Sequence, residues 1–396
     1  MVSIKTGGVM QNFIYENKSE IHFGDLPESH IAECIKKFEG KNVLLHFGGG
    51  SIVKSGLHEK IMKTLTSAGL HVVELGGVRP NPSKSLAQVG IELARKEKVD
   101  FVLAVGGGSV IDSAKCIAAG ANNIDIWDYY DKRKDTKLLK DVLPIGAVLT
   151  IPAAGSECSP TSVIRYEDGG LKYTINSESL RPKFAFINPA YSSTLPANQI
   201  AYGVSDIFAH LFERFFAEDS IKNAIVTDKI LIGAMHAVLK LAPKVYKDFV
   251  SLDAKERNGD HLANLCLIGT LAHNSMLNMG RGSGCWASHR IDNRLLSGVK
   301  DIAHGAGLAI AIPAYLKFMS KKKPARVEHF TREVISISGL EKFYKTLELP
   351  TRLSHVNLSV DEIKPLVKLA FPVGELLGGY GQLTIEEIET IIEIAK

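Results

Sequence analysis

The sequence predicts an α/β half followed by an all-helical half. In the first half, short apolar runs typical of buried strands alternate with segments of helical spacing, as in a parallel sheet covered by helices. Beyond Asn188-Pro189 the helical spacing continues, but few runs of β-branched residues follow. The predicted domains are therefore an α/β domain at residues 1–188 and a helical domain at residues 189–396.

The strands of the α/β domain are predicted from apolar runs that turn-forming residues bound. They are expected at 42–47, 71–75, 100–105, 144–151 and 184–188. The helices between them are expected at about 54–68, from Ser83 onward and at 109–119. The runs 162–166 and 172–175 flank Glu167-Asp168-Gly169-Gly170, a pattern that indicates a hairpin.

The helical domain is predicted from the spacing of its apolar residues. Its helical segments are expected at 198–217, 221–241, 261–279, 285–297 and 304–320. Neither an internal repeat nor a low-complexity linker occurs in the 396 residues.

Composition and charge exclude several classes of function. The chain carries 47 basic and 43 acidic residues, a net charge of +4, which is a balanced surface and not that of a nucleic-acid-binding protein. No apolar run reaches the ~18 residues of a membrane span. The five cysteines are odd in number and form no Cys-x-x-Cys pair, which favours reduced thiols in a cytoplasmic protein.

Two glycine-rich turns, Gly48-Gly49-Gly50-Ser51 and Gly106-Gly107-Gly108-Ser109, each follow a predicted strand and precede a predicted helix. Such a turn lets backbone amides approach a phosphate closely, and the helix N-terminus adds positive potential. A tight structural turn is the alternative, but the context of the second turn favours phosphate binding. Neither turn has the G-x-G-x-x-G spacing, and no Walker lysine pattern occurs, so neither an ordinary Rossmann motif nor a P-loop is predicted.

Four residues of the helical domain form a candidate metal site. Asp206 and His210 are four residues apart in a helical stretch, which places a carboxylate and an imidazole on one helix face. Alone, such a pair is more often an ordinary hydrogen bond. His289 and His304 lie in similar apolar, helix-compatible surroundings. Together the four offer one oxygen and three nitrogen ligands, a set that suits Fe(II), Zn(II) or a similar divalent ion.

Taken together, these motifs resemble those of the iron-dependent (group III) alcohol dehydrogenases, in particular the butanol dehydrogenase-like branch. The resemblance spans nearly the whole chain and rests on specific stretches of sequence. They are both glycine-rich turns, Pro80-Asn81-Pro82, Val110-Ile111-Asp112-Ser113-Ala114-Lys115, Tyr202-Gly203 with Asp206 and His210, and His304-Gly305-Ala306-Gly307-Leu308-Ala309. The resemblance implies the fold shared with dehydroquinate synthase, an N-terminal dinucleotide-binding α/β domain and an all-α C-terminal domain.

The resemblance also implies roles for individual residues. By similarity, the metal ligands are Asp206, His210, His289 and His304. The second glycine-rich turn falls on the pyrophosphate loop, and the first falls near the adenosine ribose. Lys172 resembles a lysine near the nicotinamide ribose, and Asp112 and Thr150 are the other predicted cofactor-binding residues.

The implied activity is hydride transfer between NAD(P)(H) and a primary alcohol or aldehyde. Aldehyde reduction is the expected direction, and a homodimer is the expected assembly. The metal would act as a Lewis acid on the substrate oxygen, and the cofactor would exchange the hydride. Neither Cys158 nor Cys285 has an evident activating partner in the sequence, so both are predicted to be packing residues.

The sequence departs from the family pattern in two places. Relatives usually carry a second histidine four residues after the third ligand, where this chain has Asn293; we predict that Asn293 is a catalytic residue facing the substrate. His289 and His304 are fifteen positions apart, one more than in relatives, so Leu295 or Leu296 is predicted to be an insertion. A π-turn can absorb an extra helical residue; alternatively, the ligand has slipped.

The first glycine-rich turn predicts that NADP(H) is preferred over NAD(H). Enzymes that select NAD commonly place a carboxylate on the ribose 2′-hydroxyl, and this carboxylate repels a 2′-phosphate. The turn from Gly48 to Ser51 contains no acidic residue, and Lys54 lies one turn onward. The alternative is a permissive turn that binds both cofactors equally.

Three other functions stay open from the residues and the resemblance. A polyol dehydrogenase of the same family would differ in its substrates. A dehydroquinate synthase-like lyase would use nicotinamide and metal without net oxidation, but basic substrate-binding residues around the metal motifs are missing. An inactive nucleotide-binding homologue would bind no metal.

Overall fold

The computed structural model describes residues 13–217, 224–282, 284–300, 302–371 and 374–396. Its strands are β1 (Glu20–Phe23), β2 (Asn42–Gly48), β3 (His71–Val78), β4 (Phe101–Gly106), β5 (Ile145–Leu149), β6 (Thr161–Arg165), β7 (Lys172–Asn176) and β8 (Phe184–Ile187). The helices of the first half are α1 (Ser29–Lys37), α2 (Ser51–Lys54), α3 (Leu57–Ser67), α4 (Lys84–Lys96), α5 (Gly108–Asn122) and α6 (Ile126–Tyr130).

The regular elements described in the second half are helices, apart from one isolated β-bridge between Leu377 and Leu383. Its helices are α7 (Ala197–Phe215), α8 (Ile225–Ser251), α9 (Gly259–His273), α10 (Ala287–Leu295), α11 (His304–Lys322), α12 (Pro324–Glu333), α13 (Ile337–Thr346), α14 (Val360–Ala370) and α15 (Ile385–Ile394). The predicted segment 221–241 corresponds to α8, and residues 221–223 lie outside the described residues.

Six strands form one parallel sheet in the order β1-β8-β5-β4-β2-β3. β4 is buried along its whole length, as expected of a parallel strand covered on both faces. Its side chains alternate between two cores: Val102 lies in the core that contains Ala114 of α5, and Leu103 lies in the core that contains Ile61 of α3. The predicted fold class, an α/β part followed by an all-helical part, is confirmed.

The hairpin predicted around Glu167-Asp168-Gly169-Gly170 is the antiparallel pair β6-β7. Asp112 of α5 holds it in place, because its Oδ2 accepts a hydrogen bond from the Val163 amide at 3.0 Å and its carbonyl accepts one from Ser162 Oγ at 2.7 Å. The hairpin is therefore fixed to the helix that begins at the second glycine-rich turn.

By compactness the chain divides into two units. One contains residues 17–196 and 252–273, so α9 belongs with the sheet. Within this unit Thr270 Oγ1 donates to the buried Glu157 carboxylate at 2.7 Å, and His273 Nδ1 lies 2.6 Å from the Ala154 carbonyl oxygen. The other unit contains residues 197–251 and 274–396 together with the described residues before Asn17. The domain boundary at 188/189 is a simpler division and stays a prediction.

The second unit is built around α7, whose residues from Gly203 to Phe215 are all buried. Phe212 and Phe216 pack with Tyr315 of α11 and Phe330 of α12 in an aromatic core. None of the described helices is long and apolar enough to cross a membrane. Against this aromatic core, the buried polar residues of α7 are an exception.

Candidate active site

The buried polar residues of α7 include Asp206 and His210. They are one helical turn apart, and His210 Nδ1 lies 3.4 Å from Asp206 Oδ1. Since residues four apart on a helix point the same way, α7 alone is sufficient to place this carboxylate and imidazole together.

Two other helices bring histidines to the same carboxylate oxygen. His289, in the first turn of α10, places its Nε2 3.7 Å from Asp206 Oδ1. His304, the first residue of α11, places its Nε2 3.6 Å from the same atom. The four residues that the sequence singled out therefore converge on one point.

Glu213 contacts the His289 imidazole on the side away from Asp206. Its side chain is fully buried at the end of α7, and its Oε1 accepts the backbone amides of Ser288 and His289 at 2.8 and 3.2 Å. The same oxygen lies 3.5 Å from His289 Nδ1. A carboxylate on one ring nitrogen fixes the orientation of the other, as is common behind metal-binding histidines. Here the other nitrogen, Nε2, faces Asp206.

Asp292 does the same for His304. Its fully buried Oδ2 accepts a short hydrogen bond from His304 Nδ1 and one from Ser297 Oγ at 2.5 Å, and its Oδ1 accepts the Ser297 amide at 3.3 Å. A Cβ at Gly307 would lie 1.7 Å from Asp292 Oδ1, so only glycine leaves room for this carboxylate. Neither Glu213 nor Asp292 is predicted from the sequence, because their spacing from the histidines they hold contains no local signal.

The donor set fits a divalent cation. Asp206 Oδ1 and His289 Nε2 are buried and have no hydrogen-bond partner among the described residues, which is costly unless another group binds them. Burial by itself lowers the pKa of His289, but the Asp206 and Glu213 carboxylates outweigh it and raise that pKa to about 9. The site thus attracts positive charge, and Asp206, His210 and His289 lie close enough together to share one ion. One oxygen and imidazole nitrogens are the ligands that Zn(II) and Fe(II) accept.

The chain between His289 and His304 contains the rest of α10 and a turn. α10 ends at Leu295, and no described residue of the stretch forms a π-turn. The Lys300 amide instead bonds to the Leu296 carbonyl at 2.9 Å in a separate turn before α11 begins at His304. With this spacing His304 reaches Asp206, and the insertion of Leu295 or Leu296 stays a prediction.

Asn293 lies one turn beyond His289 on α10 and is half-buried. The i, i+4 relation places it on the same helix face as that histidine. Its assignment as a catalytic residue stays a prediction.

The second glycine-rich turn forms the start of α5. The Gly107 carbonyl accepts the amides of Val110 and Ile111, and a Cβ at Gly106 would lie 2.4 Å from Val110 Cγ2. The first amides of a 15-residue helix have no acceptor within it, so Gly108 and Ser109 offer donors to an anion. These amides are the donors that a phosphate would need, and phosphate binding at this turn stays a prediction.

Behind this turn lies Lys115, a fully buried lysine that the sequence analysis did not assign to the site. Its Nζ donates to the carbonyls of Ser156, Ser159 and Thr161 at 2.7 to 3.0 Å. Burial, only partly offset by the nearby Asp112, lowers the pKa of Lys115 to about 8. Lys115 therefore ties α5 to the segment before β6.

The remaining predicted cofactor residues lie in the same unit. Thr150 follows β5 and is buried, with its amide bonded to the Gly106 carbonyl at 3.1 Å. Lys172 begins β7 and is half-buried. Asp112 bonds to the hairpin and also accepts Ser156 Oγ at 2.5 Å. Their contact with a cofactor stays a prediction.

The first glycine-rich turn follows β2 and has the open geometry of a loop. Gly50 has a φ of 119°, a left-handed conformation that favours glycine. Ser51 and Lys54 are exposed on α2. Gly48 pairs with Val78 of the neighbouring parallel strand β3, so exposed Arg79 follows at the same edge of the sheet. Arg79 is not predicted from the sequence, because only the register between β2 and β3 brings it to the edge of the sheet where the first glycine-rich turn lies.

Comparisons with known proteins show which family and relatives the chain is similar to. Residues 18–189 match the model of the family described as iron-containing alcohol dehydrogenase, and residues 200–396 match that of its C-terminal domain. The chain is 35% identical to a probable NADH-dependent butanol dehydrogenase of Bacillus subtilis, covering 97% of this chain and 99% of the relative. It is 31% identical to the NADPH-dependent aldehyde reductase YqhD of Escherichia coli, covering 98% and 100%. The crystal structure of NADH-dependent butanol dehydrogenase A from Thermotoga maritima superposes with a TM-score of 0.88 at 34% identity, covering 98% and 99%.

Proposed function

The chain belongs to the iron-containing alcohol dehydrogenase family, and we propose that within it the protein acts mainly as an NADPH-preferring aldehyde reductase. The family makes it an NAD(P)-dependent alcohol dehydrogenase or aldehyde reductase with a divalent metal, usually iron. The observation that carries the chemistry is the convergence of three imidazoles on the buried, unpartnered Asp206 Oδ1.

Asp206, His210, His289 and His304 would hold the metal in this proposal. When bound, the ion supplies Lewis acidity to an alcohol or carbonyl oxygen, and the nicotinamide supplies or accepts the hydride. Glu213 and Asp292 keep two of the imidazoles turned toward Asp206. Asn293 would face the substrate, where its amide can hydrogen-bond but cannot relay a proton as an imidazole can.

The amides of Gly108 and Ser109 would bind the pyrophosphate of the cofactor, with Gly106 and Gly107 shaping the turn. Thr150, Lys172 and Asp112 are the other cofactor-binding residues of the proposal.

The preference for NADPH is supported by the first glycine-rich turn. Ser51 and the loop amides can donate to a 2′-phosphate, and no carboxylate lies between Gly48 and Ser51. Lys54 is exposed one turn on, and Arg79 adds a second cation at the same sheet edge. Relatives carry both NADH and NADPH in their names, so the residues of this turn are the better guide for this chain.

The direction of reaction is proposed from the aldehyde reductase named among the relatives that match nearly full length. The test is a panel of short-chain aldehydes, alcohols and polyols with both cofactors, on protein reconstituted with Fe(II) or Zn(II). We expect the highest kcat/KM with an aldehyde and NADPH. A preference for a polyol would identify the alternative within the family.

The cofactor proposal has its own variant. Ser51→Asp places a carboxylate where the 2′-phosphate would bind, and a like charge there costs on the order of 1–3 kcal/mol. We expect the ratio of kcat/KM with NADPH to that with NADH to fall by about tenfold to a hundredfold. Ser67→Asp at the end of α3 adds the same charge elsewhere on the unit and is the matched control. A wild-type ratio below one, or a ratio that Ser51→Asp leaves unchanged, would refute the placement of the ribose.

A homodimer in the cytoplasm is proposed from the sequence alone. The formation of one symmetric species of twice the chain mass in sedimentation equilibrium would support the dimer, and a single-chain mass would refute it.

A further inference from the structure

A second cluster of metal-ligand types lies at the edge of the sheet, outside the site described above. It consists of Glu20 and His22 on β1 and Cys34 on α1. His22 Nε2 lies 3.4 Å from Cys34 Sγ and 3.5 Å from Glu20 Oε2. Cys34 is buried, and the other two side chains are partly buried. A carboxylate, an imidazole and a thiol thus meet around one point.

The local structure explains why these side chains meet. Residues two apart on a strand point to the same face, so Glu20 and His22 lie on one side of β1. Residues four apart on a helix share a face, so Cys34 has His30 one turn before it on α1. The rings of His22 and His30 are 6.4 Å apart, and His30 Nδ1 is buried with no hydrogen-bond partner among the described residues.

We propose that Glu20, His22 and Cys34 form a structural binding site for Zn(II) or a similar borderline divalent ion, with His30 as the fourth ligand. Tetrahedral zinc with bonds of ~2.0–2.3 Å to nitrogen, oxygen and sulfur separates neighbouring ligand atoms by ~3.3–3.6 Å. The separations of His22 Nε2 from Cys34 Sγ and Glu20 Oε2, 3.4 and 3.5 Å, fall in this range. Ligands that already have these spacings need only the approach of His30 to complete a site.

Lys37 orients the Glu20 carboxylate. Its ammonium group bonds to Glu20 Oε1, which leaves Oε2 directed at His22. A carboxylate that binds a metal through one oxygen commonly bonds to a donor through the other. The competing explanation is that His22 only hydrogen-bonds to Cys34 and forms an ion pair with Glu20, without a metal.

The site would stabilise the edge of the sheet. β1 has four residues, and among the described strands it pairs only with β8, so a metal shared by β1 and α1 would fasten a short edge strand to the adjacent helix. Burial and the Glu20 carboxylate raise the pKa of the Cys34 thiol. Because a thiol must lose its proton to bind zinc, binding would release protons.

Cobalt substitution separates this site from the one around Asp206. The ligands proposed there are oxygen and nitrogen, whereas Cys34 supplies sulfur, and a thiolate bound to Co(II) produces a charge-transfer band in the near-ultraviolet. The experiment titrates the metal-free full-length chain with CoCl2, desalts it and measures the bound metal and the spectrum. We expect two equivalents per chain and the charge-transfer band.

Single-residue variants show which bound metal equivalent belongs to which site. Cys34→Ser should lose one equivalent and the whole band, His22→Gln should weaken both, and Asp206→Ala should lose one equivalent but keep the band. Cys266→Ser removes a buried thiol elsewhere and is the matched control. Cys34→Ser should also keep wild-type turnover, and metal should raise its Tm by less than it raises that of the wild type, because only the Asp206 site still binds.

One equivalent per chain without a band in the wild type, or a band that survives Cys34→Ser, would refute the proposal. So would a band that forms only at large metal excess and disappears on desalting. If Cys34→Ser does not fold, alkylation of the wild-type chain gives the answer, because bound Zn(II) should slow the reaction of Cys34 at least tenfold and a chelator should restore it. An unchanged rate would refute the site.

Discussion

Removal of the Asp292 carboxylate is expected to weaken metal binding without affecting the cofactor. Asp292 is fully buried, and the donors it accepts are His304 Nδ1, the Ser297 hydroxyl at 2.5 Å and the Ser297 amide at 3.3 Å. Without the carboxylate, the His304 ring loses the contact that directs its Nε2 toward Asp206. The effect should therefore appear first in metal affinity.

Its magnitude can be estimated from this geometry. Loss of a carboxylate behind a metal-binding histidine typically costs ten- to a hundredfold in metal affinity, which is about 1.4–2.7 kcal/mol. Asp292→Ala also leaves buried donors without an acceptor, at roughly 1–3 kcal/mol of folding stability for each group. Asp292→Asn keeps the shape and one acceptor oxygen. We therefore expect metal affinity to fall about tenfold in Asp292→Asn and up to about a hundredfold in Asp292→Ala.

The assay is calorimetric titration of metal-free protein with Zn(II), followed by NADPH binding measured by fluorescence. The control is Asp228→Asn, which alters another buried carboxylate of the same unit that bonds to Arg281 and Arg326. This control should lower stability and leave zinc affinity unchanged. Wild-type zinc affinity in a folded Asp292→Ala variant would refute the assigned role, as would an equal loss in the control.

Three further predictions follow from the site and the fold. Asp206→Ala should abolish turnover and metal binding at the Asp206 site but leave NADPH affinity within about twofold, because the glycine-rich turns lie in the other unit; joint loss of cofactor binding in a folded variant would contradict this. Asn293→His should change the pH profile of kcat, since an imidazole can relay protons near neutral pH, and an unchanged profile with unchanged KM would place the residue away from the chemistry. Burial lowers the pKa of His46 to about 4, below the ~6.5 of an unfolded chain, so stability should be full at neutral pH and fall by up to roughly 3 kcal/mol between pH 6.5 and 4. In urea unfolding, His46→Gln should remove that part of the pH dependence, and the same slope in wild type and variant would disprove it.

Much of the fold could be predicted because its signals are local. Ser83 was expected to start a helix, and it is the N-cap of α4, accepting the Leu86 amide at 3.2 Å. The apolar run at 100–105 is β4, displaced by one residue. β1 escaped prediction, because Glu-Ile-His-Phe is short and half polar, as is common for an edge strand that has water on one side.

The candidate site shows the same division. Asp206 and His210 could be paired from their spacing, since a helix places residues four apart on one face whatever surrounds it. No comparable rule connects His304 to Asp292 twelve residues earlier, or His289 to Glu213 seventy-six residues earlier. These contacts depend on how α7, α10 and α11 pack.

The sequence by itself determined the alternation of strands and helices, the two glycine-rich turns and the four metal-ligand candidates, because backbone periodicity and residue chemistry are local properties. Only the tertiary structure decided that α9 belongs with the sheet, that a separate turn follows α10 before His304, and that Asp292 needs the space beside Gly307. It also decided that Glu20, His22 and Cys34 meet. Each of these depends on close packing between segments distant in the chain, and the free energy of such packing depends on shape and burial that no local pattern records.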